Sequence, residues 1–227
     1  MDQPAIARTT PPRIAMVSLH GYVSVAPPVG ATDSSSQTRY VLELSKMLSE
    51  LGYAVDIWMR RMEDQTEIDV INDLMRIIRI PCGGLDFLPR EELWRHLPEW
   101  SDLALEHIGK TGVRYEFFNS HYWDAGMAAQ FLSAILNVPH IHTPHTLGIW
   151  QQHQLENKFP GRGAVFETQY HFQRQIMEER RLYGDCDLVV ALNEIQLELL
   201  SRDYDVPSDK LRLAAAFAPE IAPPQER

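Results

Sequence analysis

The chain has 227 residues and 44% hydrophobic content, enough to bury a full α/β core, and we expect one large domain rather than two small ones. Its formal net charge of −10 and pI of about 5.3 exclude the basic face that a nucleic acid or an anionic membrane surface would need. Cys82 and Cys186 are too few and too distant in sequence for a disulfide framework or a zinc knuckle, and no apolar run approaches a membrane span, so the cytosol is the expected location.

Residues 1–12 form a Pro- and Thr-rich lead with no apolar stretch of the signal-sequence kind, and they read as disordered. Residues 13–19 (RIAMVSL) are the first expected strand, followed by a long loop over 20–36. In the helix expected over 38–51, Tyr40, Leu42, Leu44, Met47, Leu48 and Leu51 form an apolar face and Gly52 is the stop. Residues 54–59 and 75–80 read as strands, the latter interrupted by Arg76 and Arg79, and the acidic stretch 60–74 between them reads as loop. Pro89 opens a helix that runs to about Lys110.

Residues 115–119 are the next expected strand, 125–136 a small-residue helix, and 138–142 a strand. A long polar helix over 166–183 follows the loop TPHTLGIW. Residues 187–192 are a strand, Asn193 caps a helix reaching about Asp203, and 211–215 form a last short strand before a Pro-rich tail over 216–227. Repeated βα order makes this an open, mostly parallel, Rossmann-like sheet over 13–215 with helices on both faces.

In such a sheet the loops after the strands gather on one rim. Here they are HGYVSVAPPVGATDSSSQ, SHYWDAG and TPHTLGIWQQHQ, all polar and aromatic, as a small-molecule site requires. The first of them leads into a helix N-terminus, where backbone N–H groups and the helix dipole meet a ligand at the carboxyl edge of the sheet. Trp123 and Trp150 lie on rim loops, whereas Trp94 and Trp100 lie on a helix face and read as core. His121, His140, His142 and His145 have a spacing that a metal site can use, which raises a metal-dependent hydrolase as one reading. No Asp or Glu cluster joins them, and the expected site holds no metal.

The string DSSSQTRYVLELSKMLSELGYAVDIWMRR, with HGYV before it and NSHYWDAG and TPHTLG after it, resembles the N-terminal half of the retaining glycosyltransferases that include sucrose synthase and sucrose-phosphate synthase. Within that group it is most similar to the bacterial mannosylfructose-phosphate synthase branch, over residues 13–213. The resemblance implies half of a GT-B fold: an acceptor domain for fructose or fructose 6-phosphate, facing a second Rossmann-like domain that binds the nucleotide sugar. It implies hexosyl transfer with retention and without metal or other cofactor. On this reading the donor-binding domain is absent from the chain.

The resemblance also assigns residues. The group's Asp-Thr-Gly-Gly-Gln loop is matched by Asp33 and Gln37, with Ser35 and Ser36 in place of glycines; a serine-rich turn capping the helix is the competing view of the same residues. His121 is implied as the catalytic histidine touching the transferred sugar, and Tyr122 and Asp124 match beside it, Asp124 serving either the ligand or the cap of the next helix. His145 is implied as an acceptor or phosphate contact, against a purely structural rim histidine. Gln151 and Gln152 stand where a lysine is usual, and Gln175 stands where an arginine precedes Glu179; Arg174, Lys158 or Arg162 are the cations that can compensate.

Two functions follow. The chain is an acceptor half that transfers only when a donor domain completes the cleft, or it is a catalytically silent remnant that binds a sugar weakly or binds a protein. The expected ligand is a sugar or sugar phosphate, and the macromolecular partners left open are a separate donor domain or a second copy of the chain. No transfer from a UDP- or GDP-sugar is expected of the 227 residues alone.

Overall fold

A computed structural model describes residues 10–20 and 36–214. Among them lie eight strands and eight α-helices: β1 (Arg13–Val17), α1 (Ser36–Glu50), β2 (Ala54–Arg60), β3 (Ile68–Asn72), β4 (Met75–Ile80), α2 (Arg90–Leu93), α3 (Leu97–Thr111), β5 (Phe117–His121), α4 (Trp123–Leu136), β6 (His140–Thr143), α5 (Gly148–Lys158), α6 (Gly163–Tyr170), α7 (Phe172–Asp185), β7 (Leu188–Ala191), α8 (Glu194–Tyr204) and β8 (Leu211–Leu213). A single 3-10 turn, Trp94–His96, joins α2 to α3. The lead 1–9, the loop residues 21–35 and the tail from 215 lie outside the described residues, so the expectations for them are not met by any observation.

The strands form one sheet in the order β3-β4-β2-β1-β5-β6-β7-β8, parallel except for the antiparallel β3–β4 pair. After β1 the chain builds outward through β2 and β4, then returns to the other side of β1 with β5. The direction of winding therefore reverses between β1 and β5, and the crevice at the carboxyl ends of those two strands is where such sheets bind ligands. Burial on both faces explains the near-continuous apolar runs of the central strands. Ile14, Met16, Ile57 and Ile77 pack under α1 with Val41, while Val17, Trp58, Ile78 and Phe118 pack on the opposite face against Trp100 and Ala104 of α3 and Ala128 and Leu132 of α4. A third cluster holds α7 and α8 to β7 through Leu182, Tyr183, Val189 and Leu200.

Three expectations are corrected, and the arginines of the strand expected over 75–80, which is observed, are explained. Residues 60–74 are not all loop: Ile68–Asn72 form β3 on the outer edge. The two arginines in β4 are ion-paired, Arg76 to the buried Asp56 at 2.8 Å and Arg79 to Asp69 at 2.7 Å, which is how a strand at this position tolerates them. The rim stretch after β6 is not a long loop but folds into α5. The helix expected over 166–183 is two helices, broken at His171, whose φ of 54° reverses the chain between α6 and α7.

Candidate functional site

The carboxyl ends of β1 and β5 are joined first by Gln37. This side chain is 7% exposed, and its amide donates to Ser18 Oγ at 3.2 Å and to the His121 carbonyl at 3.1 Å. The opening of α1 is thereby fixed against both strands. One residue later in the chain than β5, Tyr122 adopts a φ of 76°, a region that non-glycine residues rarely enter. Its N–H donates to the Thr143 carbonyl at 3.1 Å and its ring meets His20 edge-on at 4.8 Å. His20 in turn lies 3.0 Å from Oδ2 of the fully buried Asp124.

Behind this turn lies a closed set of imidazoles. His121 Nδ1 and His145 Nε2 are 3.0 Å apart, and Tyr40 packs edge-on against both rings. Ser120 Oγ is 2.7 Å from His140 Nε2 and 2.7 Å from His142 Nδ1, while His140 Nδ1 is 2.9 Å from Gln130 Oε1. With Gln130 accepting, His140 donates from Nδ1, Ser120 donates to His140, and His142 donates to Ser120. The Nε2 atoms of His121 and His142 are buried and unpartnered. Burial disfavours the imidazolium in every case: His121 and His142 are held well below the usual histidine range, His140 is lowered to about 4 and His145 to about 3. Among the described residues no group of three His, Cys, Asp or Glu is placed to hold a metal ion, and His140 and His142 are engaged by Ser120.

In front of the turn is a cavity of about 290 Å³, at the lower end of the range for small-ligand pockets. Tyr122 and Trp123 form its floor, and Arg90 and Glu91 of α2 form one wall. Trp150, Gln151, Gln154 and Leu155 of α5 form a second wall, and Tyr170, Phe172 and Gln175 of the α6–α7 bend complete it. The α2 wall is set by Arg60, 2% exposed, which donates to the carbonyls of Cys82, Gly84 and Asp86 and so pins the loop that delivers Arg90. Gly83 in that loop has φ 60° and leaves no room for a β-carbon, which would stand 2.7 Å from the His96 ring. The α7 wall is held to the α2 side by Arg174, whose guanidinium lies 4.4 Å from the Trp94 ring centre; His171 Nε2 stands 3.6 Å from Glu92, beyond hydrogen-bond distance.

Glu179 anchors the back of this wall. It is fully buried and accepts from the Gly148 N–H at the start of α5 at 3.0 Å, from Gln175 Nε2 at 2.8 Å and from the Tyr204 hydroxyl. Burial raises its carboxyl to about 7, against the pull of these donors.

The expected site residues divide accordingly. Tyr122 lines the cavity. Gln37, His121 and His145 form the linked layer beside it, and none of the three is among the lining residues. Asp124 lies in the first turn of α4 without capping it, since Tyr122 holds the cap position; its carboxylate binds the Ala125 N–H and His20. Ser36 is exposed at the start of α1, and Asp33 and Ser35 lie outside the described residues. Arg174 is directed to Trp94 and to Glu178 at 3.2 Å, not to the cavity. Trp123 opens α4 and is 3% exposed rather than on a loop, and Trp94 is partly buried between Arg174 and Arg95, at 4.4 and 5.0 Å. Arg90, Glu91, Gln154, Tyr170 and Phe172 were not singled out by the sequence. A cation at the first position of an acidic helix start is a weak signal, and the aromatics Tyr170 and Phe172 flank the bend at His171.

Residues 37–215 match the Glycosyltransferase Family 4 domain. The chain is 50% identical over 193 residues to mannosylfructose-phosphate synthase of Agrobacterium fabrum, an overlap covering 85% of this chain and 42% of that protein. It is 29% identical over 203 residues to D-inositol 3-phosphate glycosyltransferase of Corynebacterium urealyticum, covering 89% of this chain and 45% of that one. Among solved structures, sucrose-phosphate synthase from Thermosynechococcus elongatus superimposes with a TM-score of 0.71 at 23% identity, over 90% of this chain and 48% of that one. The chain thus spans less than half the length of these relatives. No helix among the described residues is long and apolar enough to cross a membrane. The doubly wound sheet is half of a GT-B fold, and the chain belongs to Glycosyltransferase Family 4.

Proposed function

We propose that the chain is the acceptor-binding half of a nucleotide-sugar-dependent hexosyltransferase, with the cavity between α2, α4, α5 and α7 as the acceptor site. The observation that carries this is an aromatic- and amide-lined cavity at the carboxyl end of β5, next to the winding reversal, in a chain half identical to a mannosylfructose-phosphate synthase. The relatives' names point to a sugar or sugar-phosphate acceptor. In this reading Tyr122 and Trp150 offer ring faces to the sugar and Gln151 and Gln154 bond its hydroxyls. The resemblance assigns His121, which is neutral, fully buried and backed by His145, to the transferred sugar, and Asp33, Ser35, Ser36 and Gln37 to the acceptor side. Transfer needs the acceptor held in line with a donor, so a donor-binding domain, in the same protein or a separate one, is the partner.

Calorimetric titration with fructose, fructose 6-phosphate and inositol tests the site. Binding of at least one compound is expected, and Trp150→Ala and Tyr122→Ala should each weaken it about tenfold, the loss of roughly 1.4 kcal/mol of stacking and packing. Binding that neither substitution changes places the acceptor elsewhere.

A second reading, a catalytically silent sugar-binding or protein-binding module, is favoured by the complete burial of His121 and by the closure of Gln175 onto Glu179. Transfer from a UDP- or GDP-sugar by the chain, alone or mixed with a donor domain, removes it.

A further inference from the structure

Glu179 is fully buried, and among the described residues no cation pairs with it. Its oxygens are met instead by the Gly148 N–H at the start of α5, the Gln175 amide and the Tyr204 hydroxyl. The fit is close: a β-carbon on Gly148 would stand 3.0 Å from Glu179 Oε2 and 3.2 Å from Gln175 Cδ. The titratable groups that feel its charge are Tyr204 of α8, Tyr183 of its own helix and Tyr122 at the cavity floor, and burial keeps all three protonated. Arg180, next in the chain, is turned to the Tyr204 ring at 5.5 Å and to Asp205 at 3.9 Å, and Glu178 is turned to Arg174 at 3.2 Å. With its carboxyl raised to about 7 by burial, Glu179 changes charge close to neutral pH.

Gln175 carries that change to the cavity. It lines the cavity while its Nε2 donates to Glu179 Oε1 at 2.8 Å, which leaves Oε1 as the end of the amide available to a ligand. An ionised Glu179 only accepts, and all three of its partners donate to it. A protonated Glu179 carries an O–H that needs an acceptor of its own. The Gly148 N–H cannot accept. The Tyr204 oxygen already accepts from the Ile149 N–H at 3.1 Å, and accepting from Glu179 as well would strand its own buried proton. A half-turn of the Gln175 amide leaves every group bonded: Glu179 donates to Gln175 Oε1, Tyr204 and Gly148 donate to the other carboxyl oxygen, and the Gln175 NH2 group turns to the cavity.

We propose that Glu179 is a positioning residue that sets, through Gln175, the polarity of the cavity's α7 wall. Ionised, it presents the amide oxygen, which suits a ligand hydroxyl. Protonated, it presents the NH2 group, which suits an acceptor oxygen such as that of an anionic ester. That the ligand is the sugar acceptor rests on the proposed function; the half-turn itself does not.

NMR of the whole 227-residue chain without ligand reads the half-turn directly. At pH 8.5 the Gln175 side-chain NH2 protons should show NOEs to Gly148, and at pH 6 these should give way to NOEs to ring protons of Tyr122, Trp150 or Phe172. Glu179→Gln, whose amide donates to Gln175 as the protonated acid does, should show the pH 6 pattern at both values. The same NOEs at both pH values in the unsubstituted chain overturn the proposal. Binding gives the second arm, with fructose 6-sulfate as the probe because its charge is constant over this range. It should bind about tenfold tighter at pH 6 than at pH 8.5, the size of one charge-assisted contact. Glu179→Gln should hold the tighter affinity at both values, and Gln175→Met, which keeps the volume and loses the amide, should bind weakly with less than about a twofold change. Either variant keeping the tenfold change overturns the proposal, since the effect would then come from another group or from charge alone. A probe that binds at neither pH counts against the acceptor site, and the NOEs still decide the half-turn.

Discussion

The histidine layer at the ends of β5 and β6 and the cavity in front of it are separated by one residue, Tyr122, yet they are built on opposite plans. The layer is closed: its imidazoles bond to one another, to Ser120 and to Gln130, and His121 and His142 are 0% exposed. The cavity is open: Trp150 is 45% exposed and the amides of its α5 wall face solvent-accessible space. The layer belongs to the sheet and the cavity belongs to helices stacked on its rim. The contrast teaches that the motif residues His121, Asp124 and His145 give the cavity its rigid backing, while apart from Tyr122 and Trp123 the cavity is lined by less distinctive side chains. Changes in the layer should therefore register as stability, and changes in the cavity as binding.

Acid is the largest expected perturbation of the layer. The folded chain keeps these imidazoles neutral, whereas the unfolded chain protonates them near pH 6.5. Their folded values are depressed, so stability is full above pH 6.5 and falls as pH falls toward the folded values. His140 and His145, held neutral down to about 4 and about 3, each cost roughly 2 kcal/mol by pH 5, and His121 and His142 act in the same direction. Against a total of about 5–15 kcal/mol this is a large share. Urea midpoints at pH 7.5 and pH 5 measure it. Equal midpoints would mean that water reaches the imidazoles and the layer is as open as the cavity.

Gly126 probes the same layer by volume. A β-carbon there would stand 2.2 Å from Leu182 Cδ2 and 2.9 Å from the His142 ring, so the buried Leu182 and His142 side chains or α4 itself would have to shift. Gly126→Ala is expected to cost about 2–3 kcal/mol in urea denaturation. A loss below about 0.5 kcal/mol would show a seam loose enough to absorb a methyl group.

Much of this was legible beforehand, because the strands and α1, α3, α4 and α8 carry their own signals: apolar runs, a helical stripe, and the Asn193 cap, whose side chain does accept from the Gln196 N–H. The failures have physical causes. In β3 the apolar Ile68 and Val70 face outward, 41% and 75% exposed, on an edge strand where Ile71 alone packs, partly buried, on the core, too little to leave a pattern. Helix α5 carries only Gly148 fully buried, so GIWQQHQLENK shows no apolar stripe. The break at His171 has neither Gly nor Pro to mark it; its left-handed backbone accompanies contacts with Glu92 and Trp94, far away in sequence. Arg90 enters the site because Arg60 fixes the preceding loop, a tertiary effect that local pattern does not carry.

Glu179, at the back of the cavity's α7 wall, yields a smaller effect. Its carboxyl is raised to about 7 in the fold, from a usual value near 4.5, so the folded chain binds the extra proton between those values. A raised folded value gives stability that is full below pH 4.5 and lost as pH rises through 7, opposite to the histidines. Glu179→Gln, which cannot take that proton, should steepen the loss between pH 7.5 and pH 5 by about 2 kcal/mol. An unchanged slope would mean that Glu179 stays ionised, and would put a fixed negative charge behind Gln175.

Trp150 carries the smallest expected effect on stability, and it bears most directly on the open side. Nearly half exposed on α5, it should lose no more than about 0.5 kcal/mol on conversion to Ala, the range for surface substitutions, while acceptor binding weakens about tenfold. The two readouts must part for the contrast to hold. If Trp150→Ala destabilised the chain as much as Gly126→Ala, α5 would be part of the core, and the cavity would be a packing defect in a closed structure rather than a place kept open for a sugar.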